Sequence, residues 1–308
     1  MRFGEASRGT TRREMLRTLS ALAIGGAAGC LDAGGEPGAA PARVSRVTGR
    51  SRVVLVRHRD VLRADGRPDP SVLHRMLNDA VAALTEDRTP ESAWRRLITP
   101  RDVVGIKSNA WRSLATPPEL EDAIRREVIA AGVAPANVAV DDRGILDHPV
   151  FQRATALVNT RPMRTHDWSG LGTCLKNYIM FARRPSAYHG DACASLGAVW
   201  HLPHVEGKTR LNVLVMLTPQ FQGLGPHSFS PAYVWPYGGL VVGIDPVAVD
   251  ATGARIIAAK RREHFREERP ISPPPHHIEI ADTRYGLGVS DPARIDVVRL
   301  GWQDGALI

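Results

Sequence analysis

The sequence predicts an α/β fold in which a mostly parallel sheet is flanked by helices, giving three layers. Short apolar runs such as Val53–Val56 and Leu211–Leu217 are typical of strands that are buried on both faces. Between such runs, residues 71–85 place apolar side chains at helical spacing. Strands that alternate with helices favour parallel pairing, because each helix carries the chain back across a face of the sheet.

The individual elements follow from the same two periodicities. Strands are predicted at residues 52–57, 103–106, 138–140, 156–158, 211–217, 240–244 and 295–299, the last as an edge strand. Helices are predicted at residues 71–85, 117–131, 170–181 and 245–260. The last helix opens with Asp245 as its N-cap and Pro246 in its first turn, which is typical of helix starts. Residues 51–308 are therefore predicted to form a single domain.

The charge of the chain does not indicate a nucleic-acid-binding protein. The formal net charge is +8, and only four of the 40 basic residues are lysine. The arginines are spread along the sequence, without a basic helix, a zinc-finger spacing or interleaved aromatic and basic residues. We therefore expect no nucleic-acid partner.

Residues 1–30 have the features of an export signal. The pair Arg12-Arg13 is followed by Met15-Leu16 and by a short, glycine-rich apolar segment at residues 19–29. This pattern resembles a twin-arginine signal peptide, so we expect the twin-arginine translocase as a transient partner and an extracytoplasmic location. A disordered basic tail is the alternative interpretation.

The signal-like segment ends in Ala27-Ala28-Gly29-Cys30. This ending resembles a lipobox, in which Cys30 becomes the lipidated first residue; ordinary cleavage nearby is the alternative. A lipid on Cys30 would be the contact with the membrane, since no later apolar run approaches the ~20 residues that span a bilayer. Residues 31–50 are rich in Gly, Ala and Pro and are predicted to be a flexible linker.

The three cysteines do not form a cluster-binding motif. Cys30, Cys174 and Cys193 include no C-x-x-C pair, and two cysteines in the predicted domain cannot supply the four thiolates of an iron–sulfur cluster. We therefore expect no iron–sulfur cluster. After export, Cys174 and Cys193 would either form a disulfide or remain free thiols.

Polar residues follow several predicted strands at the point where each strand ends. They are Lys107-Ser108-Asn109, Asp141-Asp142-Arg143, residues 159–166, residues 220–227 and Asp245. Parallel α/β sheets bind ligands beyond the carboxyl ends of their strands. The sequence therefore predicts one polar, cation-rich cleft at this edge of the sheet.

The same residues carry a resemblance to a known family. Residues 104–109 read VGIKSN, residues 156–159 read ALVN, residues 164–166 read RTH, and residues 170–177 end in Lys176-Asn177. With Gly225-Pro226 and the DPVAVD block at residues 245–250, they resemble the family called domain of unknown function 362, in order and spacing over roughly residues 52–303.

This resemblance implies a fold and a candidate site, but no reaction. Two residues depart from the family pattern: Ser108 replaces a usual proline, and Arg164 stands where lysine is common. The ferredoxin-like cysteine segment of many members is also absent from the sequence, which argues against electron transfer through a built-in cluster.

Three side chains are predicted to carry catalysis, namely Lys107, His166 and Lys176. The residues around Lys176 are apolar on every face of the predicted helix, and a buried ammonium requires a carboxylate, carbonyl groups or an anionic ligand. A structural ion pair with a nearby aspartate is the alternative for Lys176. Lys107 and His166 have surface positions as their alternatives.

Five further side chains are predicted to bind the ligand: Asn109, Arg164, Asn177, Asp245 and Asp250. Asp245 is first of all an N-cap, and Asp250 is either an anchor for Lys176 or a metal ligand. The site suits a small anionic ligand, with a divalent metal of unknown identity as an additional option. We expect an extracytoplasmic enzyme with lysine or histidine as acid–base; a non-catalytic binding protein for a small ligand or cofactor of the cell envelope is the alternative.

The export signal gives a first prediction. Replacing both Arg12 and Arg13 by lysine should stop export, because the translocation machinery reads paired guanidinium groups that lysine does not reproduce. Cell fractionation of the double variant, beside the unchanged chain, measures this. Recovery of the variant outside the cytoplasmic membrane would contradict the twin-arginine assignment.

Overall fold

The computed structural model describes residues 49–223 and 229–308. The predicted signal peptide with Arg12, Arg13 and Cys30, the linker up to residue 48, and the Gly225-Pro226 block lie outside the described residues. Within the described part, no helix has both the length and the apolar character needed to cross a membrane.

An eight-stranded sheet forms the centre of the molecule. Its strands are β1 (Ser51–Arg57), β2 (Val104–Lys107), β3 (Val138–Asp141), β4 (Ala156–His166), β5 (Gly170–Gly172), β6 (Thr209–Gln220), β7 (Gly239–Gly243) and β8 (Ile295–Gly301). The strand order is β3-β2-β4-β6-β7-β1-β8, with β5 paired to the end of β4. Pairing along this order is parallel except at β7, which is antiparallel to both β6 and β1.

Helices cover both faces of the sheet. They are α1 (Pro70–Thr85), α2 (Pro90–Leu97), α3 (Pro118–Ala130), α4 (Pro149–Gln152), α5 (Cys174–Asn177), α6 (Gly190–Cys193), α7 (Pro246–Phe265) and α8 (His277–Thr283). One core joins α1, α2 and α3 to strand residues such as Val54 and Ile106. The other joins α5, α7 and α8 to strand residues such as Leu55 and Leu214. The predicted α/β fold with a mostly parallel, helix-flanked sheet is confirmed.

The antiparallel strand β7 changes the position of Asp245. The alternation of strands and helices predicted that Asp245 lies at the same sheet edge as Lys107, but β6 and β7 are joined without a long helix between them, and β7 runs in the opposite direction. Asp245 therefore lies beside Ser51, where β1 begins, at the opposite edge. The prediction that Asp245 belongs to the cleft is wrong, whereas its assignment as the N-cap is confirmed: it accepts from the N–H groups of Val247 and Ala248.

Residues 170–181 do not form the single helix that their apolar character predicted. Gly170–Gly172 form β5, which pairs antiparallel with the end of β4. Helix α5 covers only Cys174–Asn177, and a 3₁₀ turn at Tyr178–Phe181 follows it. A buried apolar run does not distinguish a helix from a strand by periodicity, so the sequence pattern alone could not separate these segments.

Strand β4 is also longer than predicted, and this extension positions the candidate site. The apolar run at residues 156–158 continues as a strand to His166, and every residue of β4 is buried. Its register partner β2 stops at Lys107, which lies opposite Asn159. Proline is tolerated in strands at bulges or beyond a neighbouring strand, and an irregularity in register lies between Pro162 and Arg164.

Asp245 gives a prediction for the stability of the fold. In Asp245→Ala, two N–H groups of α7 lose their acceptor, and so do the N–H of Val289 and the hydroxyl of Ser51. We expect the free energy of unfolding to fall by about 2–3 kcal/mol. Asp69→Ala is the matched control, because Asp69 caps α1 through two N–H groups in an exposed position; it should cost about 1 kcal/mol. Urea denaturation measures both, and equal losses would contradict the bridging role of Asp245.

Candidate functional site

Lys107 lies at the carboxyl end of β2 and is fully buried. Its Nζ donates to Oδ1 of Asp142 at 2.5 Å and to the carbonyl oxygen of Ser108 at 2.6 Å. A third, longer contact of 3.4 Å reaches Oδ1 of Asn177. The ammonium is therefore compensated by a carboxylate within the protein.

Asp142 is held by more than this ion pair. Its Oδ2 accepts from the backbone N–H of Ala110 at 2.9 Å. Burial alone would raise the pKa of Asp142, but the ammonium of Lys107 and the N–H of Ala110 hold that pKa below its ordinary value. The ion pair therefore links the last residue of β2 to the residue that follows β3.

A chain of buried asparagine side chains connects this ion pair with the centre of the sheet. Nδ2 of Asn177 donates to Oδ1 of Asn159 at 2.8 Å, and Nδ2 of Asn159 donates to Oδ1 of Asn212 at 3.0 Å. Asn109 joins the chain by donating to Oδ1 of Asn177 at 3.3 Å. Asn159 and Asn212 were not predicted as site residues. The feature of the sequence that could have identified these two residues is an asparagine within, or directly after, an otherwise apolar strand.

Arg164 extends the network to the surface of the molecule. One terminal nitrogen donates to Oδ1 of Asn109 at 2.9 Å and the other to the carbonyl oxygen of Leu114 at 2.8 Å. Only 1% of Arg164 is exposed, and no ion pair neutralises it within the described part of the chain. Burial, followed by the charge of Arg161, lowers its pKa well below the ordinary value.

A cavity of about 590 Å³ opens beside Arg164. Arg112 and Arg143 line it together with Arg164, and Trp111 and Phe229 supply aromatic surface. The guanidinium carbon of Arg143 lies 5.0 Å from the ring centre of Trp111. No carboxylate is among the described residues that line the cavity. Arg143 and Arg164 were both among the strand-end residues predicted to share one cleft, whereas Arg112 was not predicted.

Lys176 on α5 has a different environment from Lys107. Its Nζ contacts Sγ of Cys193 at 3.5 Å, and 3% of the residue is exposed. Within the described residues, no carboxylate lies within ion-pair distance of Nζ. The pKa of Lys176 is lowered to about 8, mainly by burial; Cys193 opposes this shift and the charge of Arg161 contributes to it.

Asp250 does not act as the counter-ion of Lys176. It is fully buried and accepts from the backbone N–H groups of Cys174 at 2.9 Å and Leu175 at 2.8 Å. Burial raises its pKa to about 7. Asp250 therefore anchors the segment that presents Lys176 and Asn177, and the prediction of an anchor applies to the backbone of α5 rather than to the lysine side chain.

His166 ends β4, two residues after Arg164, and is buried. The carboxylate of Asp167 lies 2.9 Å from its Nδ1. Burial nevertheless lowers the pKa of His166 strongly, and the charges of Lys176 and Arg161 add to this effect. The imidazole is therefore neutral at physiological pH, and its protonation is strongly disfavoured.

Arg161 was missed by sequence reasoning. It lies on β4 with 3% of its surface exposed, and it makes no hydrogen bond or ion pair with a described residue. Burial lowers its pKa to about 10. Its sequence context, Thr-Arg-Pro-Met-Arg, has the polarity of a loop, so a buried position was not expected.

Cysteine thiols and carboxylates are side chains of this site that could hold a metal ion or a cluster. Cys174 and Cys193 are both free and buried, and burial raises the pKa of each thiol. Over residues 49–223 and 229–308, no group of three or more His, Cys, Asp or Glu side chains is arranged to hold a metal ion. Asp245 and Asp250 lie apart and are engaged with backbone N–H groups. Asp245 and Asp250 therefore do not lie together as ligands of one metal ion.

Comparison with known proteins supports the family resemblance. Residues 107–255, just under half of the chain, match a family model described as Domain of unknown function (DUF362). The matched range begins at Lys107 and includes β4, α5 and the first half of α7, which together carry the site. No curated protein and no solved structure matches the chain.

The two buried lysines give a matched prediction. Lys107→Met leaves Asp142 buried without its cation, so the free energy of unfolding should fall by about 3–5 kcal/mol. Lys176→Met removes a charge that no carboxylate compensates, so stability should change by less than about 1 kcal/mol or increase. Thermal and urea denaturation of the two variants provide the comparison. A loss for Lys176→Met as large as that for Lys107→Met would make Lys176 a structural residue.

Proposed function

We propose that this protein is exported and acts, outside the cytoplasmic membrane, on a small anionic substrate bound in the arginine-lined cavity. The observation that carries this proposal is the set of three guanidinium groups, from Arg112, Arg143 and Arg164, around a cavity without a carboxylate among its described lining residues. Guanidinium groups match carboxylate and phosphate oxygens in pairs, so this lining favours an oxyanion.

The other residues that line the cavity restrict the size and polarity of the uncharged part of the substrate. Trp111 and Phe229 supply flat apolar surface beside the arginines. A volume of about 590 Å³ is within the range of small-molecule sites. The substrate class that fits is a small organic anion whose apolar part contacts these rings.

We assign proton transfer in such an enzyme to Lys176; since Lys176 and His166 do not line the cavity, the reacting part of the substrate must extend beyond the described lining residues. His166 is a neutral imidazole at the end of β4, and because its strongly lowered pKa makes it a weak base, we assign it hydrogen bonding rather than proton transfer. Lys176 has a pKa of about 8, so it can release and accept a proton near neutral pH. Lys107 is fully enclosed by Asp142, Ser108 and Asn177, and we assign it the positioning of the network rather than catalysis.

A non-catalytic binding protein is the second candidate function. The observation that favours it is the closed Lys107–Asp142 pair, because one of the three expected catalytic groups is unavailable to a substrate. Steady-state turnover of small phosphate, sulfate and carboxylate esters would support the enzyme. Stoichiometric binding without turnover would support the binding protein.

The proposed location follows from the first 30 residues. The twin-arginine pattern at Arg12-Arg13 supports export of the folded chain, and Cys30 supports a lipid anchor on the outer face of the cytoplasmic membrane. The match over residues 107–255 supports a DUF362-like protein.

Phenyl phosphate tests the cavity, because it combines an oxyanion with one aromatic ring. Calorimetry with the exported protein should detect its binding, and Arg112→Gln or Arg143→Gln should each weaken the affinity by about 10- to 100-fold, because loss of a hydrogen bond to a charged group costs about 1.5–3 kcal/mol. Arg95→Gln is the control, since Arg95 is exposed on α2, away from the cavity. Equal affinity in all four proteins would refute the assignment of this cavity.

A further inference from the structure

Buried polar atoms without a hydrogen-bond partner are concentrated around the second half of β4. In the described residues they are Thr160 Oγ1, Arg161 Nε, Arg164 Nε, Thr165 Oγ1, Gln220 Oε1 and His277 Nδ1. Four of the six belong to β4, Gln220 is the register partner of Arg164, and the other ring nitrogen of His277 contacts Thr173, directly after β5. Each such atom costs about 1–3 kcal/mol when it is left unpaired. Their concentration in one place indicates a site that a ligand completes.

Arg161 is the strongest of these groups. Its Nε is sealed from solvent without an acceptor, and no described residue accepts a hydrogen bond from its terminal nitrogens. The carboxylates whose charges act on it, Asp142 and Asp250, are already engaged with Lys107 and with the backbone of α5. Arg161, of which 3% is exposed, therefore keeps a charge that is not paired with a described carboxylate.

Gly172 provides the room for this guanidinium. A Cβ atom at residue 172 would lie 2.8 Å from a terminal nitrogen of Arg161 and 3.3 Å from Cγ of Arg164. The absence of a side chain here lets Arg161 and Arg164 both lie against the same glycine. Residue 172 is thus part of the space that the two arginines share.

Lys176 is a second buried cation, on the helix that follows the Gly172 contacted by Arg161, and no described carboxylate pairs with it. Its only hydrogen-bond partner among the described residues is the Sγ of Cys193. The groups that act on the charge of Lys176 are Cys193, Arg161 and Asp167, and Lys176 in turn acts on the side chains of His166, His189 and His277. Two buried cations that repel each other, beside neutral imidazoles, form an environment that an anion would stabilise.

We propose that Arg161 and Lys176 form an inner anion site for a small tetrahedral oxyanion of the phosphate or sulfate class. This site goes beyond the arginine-lined cavity, since neither residue lines that cavity. The guanidinium of Arg161 donates to the oxyanion, and the ammonium of Lys176 supplies the second charge. Thr160 Oγ1, Thr165 Oγ1 and His277 Nδ1 are further buried polar atoms without a described partner on or beside the same strand.

Sulfate is the probe, because it does not change its protonation above neutral pH. Calorimetry on the exported protein should show sulfate binding that weakens at least about tenfold in Arg161→Met and in Lys176→Met, and less in Arg161→Lys, which retains the charge. Arg95→Gln, exposed on α2, is the control and should stay within about twofold, and Arg112→Gln reports on sulfate in the outer cavity. Thermal melts of each variant verify that it is folded.

Proton uptake supplies a second measurement that requires no variant. An anion favours the charged form of Lys176, so sulfate binding at about pH 8.5 should take up a fraction of a proton. Titrations in two buffers with different ionisation enthalpies measure this uptake, and it should be lost in Lys176→Met. Loss of the proton uptake in Lys176→Met would show that the proton is taken up by Lys176 and not by Asp250, whose pKa an anion would also raise.

The outcomes separate this inference from the proposed function. Sulfate binding that is absent, or unchanged in Arg161→Met and Lys176→Met, overturns the inner site and leaves the phenyl phosphate result standing. Sulfate binding lost only in Arg112→Gln places the anion in the outer cavity and also overturns the inner site. Sulfate binding lost in Arg161→Met, with no effect of Arg112→Gln or Arg143→Gln on phenyl phosphate, supports the inner site and refutes the cavity.

Discussion

Strand β4 continues past the end of its neighbour β2, and the candidate site depends on this difference in length. Up to Asn159, β4 lies between β2 and β6 as an apolar central strand. Beyond that point the segment after β2 takes the place of a strand, and Thr116 and Leu114 contact Thr160 and Arg164 there. A strand backbone thereby holds charged side chains in a buried position that a mobile loop could not maintain.

The two buried lysines show how position decides the role of one residue type. Lys107 ends β2 and lies opposite Asp141 of β3, so the next residue, Asp142, reaches its ammonium directly. Lys176 stands on α5, and the nearest buried aspartate, Asp250, is occupied by two backbone N–H groups of that helix. Both side chains are almost completely buried, but only the first is neutralised by the protein.

The sequence predicted the fold class and most elements, because strand and helix periodicities are local properties. It also brought Lys107, Asn109, Arg164 and Asn177 to one place, which the hydrogen-bond network confirms. It failed at Asp245, since the direction of β7 is set by its pairing with β6 and β1 and not by its own residues. It missed Arg161 for a similar reason: a polar segment that contains proline becomes a strand only because β6 and β5 pair with it.

The backbone around Cys193 adds a second local cost to that of the uncompensated lysine. Asp191, Ala192 and Cys193 have φ values of 46°, 48° and 65°, a run of left-handed conformations in residues other than glycine. Each costs roughly 1 kcal/mol or more, and the run places the thiol beside the ammonium of Lys176. Backbone strain, an unneutralised charge and the unpaired atoms of β4 all occur in the same part of the molecule. Packing alone gives no reason for these costs to coincide, whereas a binding site does, because its unpaired groups are satisfied when the ligand is present.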